Sequence, residues 1–229
     1  INSYQSPGII LIHQPETAYT SFGTRIVYKN SHNEIKTGIT LNYVGQDEQL
    51  LLRAIDYDLK DKLDHGLTEY TTLLNPNAVV TLDSLMTNQV THNEDGILHE
   101  LDNLIGIVDE QTTIEKLRFE VIKNSDIEEG CLVEVEIGGT KVLYQVLDGI
   151  TLEDIVYQKN KYGYVRGYAT KIGIWDNTHH KFKPSKWLPQ INSPVFLRKS
   201  VTFKPTINTI GHFPMTDYHV DIQNINDLV

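Results

Sequence analysis

The chain has 229 residues, 40% of them apolar and 22% charged, with 15 Gly and 8 Pro, a composition that excludes disordered and collagen-like classes and leaves enough interior for a core without staples. One cysteine, Cys131, excludes an internal disulfide and a Cys-rich metal site, no apolar run is long enough to span a membrane as a helix, and a cytoplasmic location is expected. The formal charge of −10 is unevenly spread: residues 1–115 carry 6 Lys/Arg and 17 Asp/Glu, whereas residues 116–229 carry 14 and 13.

The early apolar run Ile9–Ile12 is too short for a signal-peptide core and reads as a strand, as do residues 24–28 and 41–44. From Asp47 the pattern changes. Leu50, Leu51, Ala54, Ile55, Leu59 and Leu63 recur at three- and four-residue steps, which predicts a helix that stops at Gly66. Asn75-Pro76-Asn77 marks a turn, residues 78–82 a further strand, and the polar stretch 87–96 a linker. Residues 1–95 are thus expected to form a mixed α/β region whose role the residues do not define.

From Leu101 onward the reading is β throughout, with strands expected over Leu104–Val108 and residues 117–122, 131–137, 140–147, 164–175 and 195–197. Gly138 and Gly139 form a two-residue hairpin loop, because glycine reaches the positive φ values of a type I′ turn without a side-chain clash. The resulting register sets Glu136 opposite Lys141, Val135 opposite Val142 and Val133 opposite Tyr144, with one face apolar and the other carrying an ion pair. The fold class expected is mainly β, a small closed barrel over residues 96–204, with residues 205–229 as a connector.

Catalytic signatures are missing from the sequence. Gly138-Gly139-Thr140-Lys141 lacks the phosphate-loop spacing, no G-x-S-x-G elbow occurs, and Cys131 at a strand start reads as a small buried hydrophobe. The nine histidines include the adjacent His179 and His180, which on a strand point to opposite faces, and no metal-binding spacing occurs among them. Asp56, Asp58 and Asp61 read as the wet face of the expected helix. No catalytic, cofactor or metal residue is therefore assigned. The charge map is more informative: residues 159–204 hold ten Lys/Arg against a single acid, Asp176, interleaved with aromatics that include Trp175 and Trp187. Arg166, Lys171 and Lys199 are the candidates for a basic surface that faces DNA or meets the acidic half of this or a neighbouring chain.

The run from Leu104 to Phe203 resembles the N-terminal β-barrel of HerA-like DNA-translocating ATPases, a barrel shared in outline with the rotary ATP synthases. The resemblance rests on Ile105-Gly106-Ile107-Val108, Phe119 and Val121, Gly130 to Val135, Lys141 to Gly149 with Glu153, Gly167 to Gly173, and Asn192 to Leu197. It implies an assembly and partner-docking module of a hexameric ring that acts on DNA with a nuclease or sirtuin-like effector, in DNA processing or anti-phage defence. ATP and Mg would bind only in a RecA-like motor beyond this segment, so no cofactor is expected here. The chain opens on Ile1 rather than Met, as a piece of a longer protein would. The reading from a different class is a stand-alone structural or attachment β-protein, such as a virion component.

Overall fold

The computed structural model describes residues 1–5, 8–15, 18–46, 49–57, 74–81, 103–122, 127–156, 160–176, 178–179, 181–185, 187–198, 207–212, 216 and 218–221. Among them every regular element is a strand. The chain divides into two compact units, Ile1–Leu101 with Asp154–Tyr162, and Asp102–Glu153 with Gly163–Val229.

The first unit contains β1 (Ser3–Gln5), β2 (Ile9–Ile12), β3 (Arg25–Lys29), β4 (Ile35–Gln46), β5 (Gln49–Asp56) and β6 (Val79–Thr81). They form one antiparallel sheet in the order β1-β2-β5-β4-β3-β6. The edge strands approach one another: the Ile1 amino group donates to Asn77 O at 2.5 Å and the Tyr4 hydroxyl to Asn77 Oδ1 at 3.3 Å. The sheet is therefore curled. Its concave side gathers Ile10, Ile12, Ile26, Tyr28, Leu52 and Ala54, with Tyr43 and Val79 packed against them.

The mixed α/β expectation for this region needs correction. Residues 50–56 lie in strand β5, not in a helix, and Leu59, Leu63 and Gly66 fall outside the described residues, as does the expected linker 87–96. The physical reason is burial on both faces. Leu51, Leu52, Arg53, Ala54 and Ile55 are all buried, and a strand covered on both sides loses its apolar/polar alternation, so that its run of leucines satisfies helical spacing equally well. Asp56 is accordingly not on a wet helical face. It receives Lys36 Nζ at 3.1 Å and lies beside Tyr28, where burial first and Asp56 second push the phenol above its ordinary range.

The second unit contains β7 (Leu104–Val108), β8 (Lys116–Val121), β9 (Leu132–Ile137), β10 (Thr140–Val156), β11 (Asn160–Asp176), β12 (Lys181–Lys183) and β13 (Pro194–Leu197). The order β10-β9-β13-β7-β8-β11 is closed by pairing of β10 with β11, giving a six-stranded barrel from which β12 extends the far part of β11. The hairpin register agrees with the sequence: Thr140 faces Ile137, Val142 faces Val135 and Tyr144 faces Val133. Gly138 and Gly139 hold φ values of 58° and 76°, as the type I′ turn requires. Alternation then divides each strand between wall and interior. Leu117, Phe119, Val133, Val135, Val142, Tyr144, Val146 and Ala169 share one core. Two further strands, β14 (Thr209–His212) and β15 (His219–Asp221), pair with each other within the expected connector.

One detail of the hairpin differs from expectation. Glu136 does face Lys141, but Lys141 Nζ reaches diagonally to Glu134 Oε1 at 2.8 Å, because Glu134 is held against the wall while the outermost carboxylate is not. A double-mutant cycle of Lys141→Ala with Glu134→Ala is expected to show coupling of roughly 0.2–1 kcal/mol, and the same cycle with Glu136→Ala a smaller value. Equal couplings would contradict the diagonal pair.

Tyr144 is the largest polar group in the barrel interior, and its hydroxyl has no hydrogen-bond partner among the described residues. Burial, with a smaller contribution from Glu115, pushes it from 10.0 up to about 12. A raised acid pKa means that the unfolded chain releases the proton first, so stability is intact below pH 10 and falls as pH rises toward 12. Tyr144→Phe is expected to leave neutral-pH stability unchanged or raise it by about 1 kcal/mol, and to flatten the alkaline loss seen in denaturant titrations. A clear loss on substitution at neutral pH would show that the hydroxyl is satisfied.

Candidate functional site

Arg166 and Lys171, two of the three basic residues singled out in the sequence, fall on β11 of the barrel. In the pairing of β8 with β11, Phe119 faces Gly167 and Leu117 faces Ala169 on the inside, which turns Arg118, Glu120, Arg166 and Tyr168 outward. Arg166 stands opposite Glu120, and its Nε donates to Asp109 Oδ2 at the end of β7, with the two side chains only 18% and 16% exposed. Lys171 Nζ donates to the carbonyls of Trp187 at 3.0 Å and Ser185 at 3.4 Å, tying down the loop after β12. Lys199 lies outside the described residues. Arg166 and Lys171 are thus tied into the barrel wall, and neither is brought into contact with the other.

Other charges among the described residues are engaged in the same way. Asp176, the single acid of the basic segment, receives Lys183 Nζ at 2.6 Å and lies 2.7 Å from His179 Nδ1, while its other oxygen accepts the Thr178 N–H. The Lys183 contact first and the His179 contact second hold its carboxyl well below the usual range. Arg118 donates to Gln111 and lies with its Cζ 5.6 Å from the Tyr168 ring centroid. Trp175 packs against Phe182 and Tyr218, whereas Trp187 is 67% exposed.

A different concavity, which the sequence did not announce, lies in the first unit. A cleft of about 370 Å³ is floored by Ile12, Ile26 and Leu52 and rimmed by His13, Gln14, Thr20 and Thr81. Its polar rim is held rigidly: Gln14 Nε2 donates to Thr20 Oγ1 at 2.5 Å, the Tyr43 hydroxyl donates to Gln14 Oε1 at 2.6 Å, and Thr20 N donates to the same hydroxyl at 2.9 Å. The lining comes from stretches far apart in the chain, so no local spacing could have signalled it. No nucleophile and base are paired at this rim among the described residues, and no group of three or more His, Cys, Asp or Glu side chains is placed to hold a metal ion there or elsewhere among them.

No protein-family model and no curated protein sequence matches the chain. Among the described residues no helix is long and apolar enough to cross a membrane.

The half-buried Arg166–Asp109 pair offers a direct measurement of how far the basic segment serves the fold. A cycle of Arg166→Gln with Asp109→Asn is expected to give a coupling of roughly 0.5–3 kcal/mol in denaturant unfolding, since either single change strands a poorly solvated charge. Additive effects would mean that Arg166 is held by solvent and not by the wall.

Proposed function

We propose that this chain is a non-catalytic assembly and partner-docking module of a HerA-like hexameric DNA translocase. The observation that carries the reading is the closed six-stranded barrel, which spans the same residues on which the family resemblance rests. The way Arg166, Lys171 and Asp176 are engaged within that barrel supports a scaffold more than a DNA grip. In this reading ATP and Mg act in a motor outside these 229 residues, DNA passes through the parent ring, and a nuclease or sirtuin-like effector docks on the collar in DNA processing or anti-phage defence. The compartment would be the cytoplasm.

A second reading has its own support. The first unit contains a six-stranded antiparallel sheet, and two units whose described elements are all strands suit a stand-alone structural or attachment protein, such as a virion component. Reading the coding DNA beyond the Val229 codon separates the two. The translocase reading expects an in-frame G-x-x-x-x-G-K-[ST] phosphate loop there and a parent protein that sediments as a hexamer. A stop codon at that point, or a monomeric parent, would favour the structural reading.

A further inference from the structure

We propose that β14 and β15 form a strap latched to the outer wall of the barrel by Tyr218, and that this latch can open while the barrel stays folded. The argument begins with alternation. Val133, Val135, Val142 and Tyr144 face the interior, so Leu132 and Leu143 on the same two strands face outward. Yet they are only 0% and 2% exposed. Two leucines on the outside of a barrel need a cover, and they are covered by Ile172, Trp175 and Phe182 together with Tyr218.

Tyr218 is the part of this cover supplied from beyond the barrel strands, and it is held on three sides. Its ring centroid lies 4.7 Å from Trp175 and 5.9 Å from Phe182. The Arg198 guanidinium stands over it at 5.4 Å, and that Arg reaches Glu134 of the wall at 3.7 Å. Thr216 Oγ1 accepts the Tyr218 N–H at 3.3 Å, which sets the direction from which the ring enters.

The backbone shows why this contact is a latch. The strands β14 and β15 form their own two-stranded sheet and do not join the ladder of the barrel. A two-stranded ribbon alone is marginal in water, so its order depends on side-chain docking. The barrel, by contrast, closes its hydrogen-bonded ring without the strap. Among the described residues Tyr218 is an aromatic contact that couples an otherwise weak element to a self-sufficient one. Opening would uncover Leu132, Leu143, Trp175 and Phe182 as one apolar patch. The inference stands independently of the translocase reading.

Hydrogen exchange on the 229-residue chain tests it. Tyr218→Ala is expected to lower protection of the β14 and β15 amides at least tenfold while the β9 and β10 amides stay within about twofold of the parent. Tyr218→Phe, which keeps the ring, is expected to leave the strap protected. In a Trp187→Phe background, where Trp175 is the only tryptophan, the Tyr218→Ala emission should shift to longer wavelength. If β9 and β10 lose protection in step with the strap, Tyr218 is a core residue and the latch is wrong. If the strap keeps its protection in Tyr218→Ala, the ring does not hold it and the proposal fails equally.

Discussion

Pairing of β10 with β11 closes a ring of six strands, and that closure assigns every neighbouring side chain to the interior or the wall. The interior must then be filled by what remains. Phe119 provides much of the volume, and its ring takes the place that a side chain at position 167 would occupy: a Cβ there would lie 2.2 Å from Phe119 Cζ. Gly106, on the other flank of β8, is subject to the same limit, with a Cβ 2.4 Å from Glu120 O. Glycine at 167 is thus a packing requirement created by one aromatic ring, and at 106 one created mainly by the adjacent backbone carbonyl.

The outer wall is organised by a few acids. Asp109 takes Arg166, Glu134 takes Lys141 and lies near Arg198, and Asp176 takes Lys183 and His179. Each is a short side chain anchored on or beside a strand, which longer cations reach by bending across the sheet surface. A segment that is densely basic in one dimension consequently spends part of its charge on internal contacts. A cation already engaged at close range adds little to a long-range field.

The first unit reaches stability by another route. Its sheet curls until its two edges meet at Asn77 and buries apolar residues on both faces of β2 and β5. The gap left where the edges fail to pair contains the cleft beneath Gln14 and Thr20. The cleft arises here from incomplete closure, whereas the barrel of the second unit owes its filled interior to complete closure.

The amino-acid sequence by itself determined the local pairings. The strand Leu104–Val108, the Gly138-Gly139 turn and the register through Tyr144 are legible because a two-residue loop and a period of two leave one consistent arrangement. It failed at residues 50–56, where burial on both faces erased the alternation that separates a strand from a helix. It also placed the Lys141 partner one pair too far out, since register names the residue opposite and not the rotamer that a long side chain adopts. Tertiary structure alone decided that Arg166 meets Asp109 across 57 residues of chain, that Tyr218 seats on Leu132 and Leu143, and that Ile12, Thr20 and Val79 share a cleft. Local sequence carries the conformational preferences of neighbouring residues; contacts between distant segments follow from how closed sheets bring strands together, and no short window contains them.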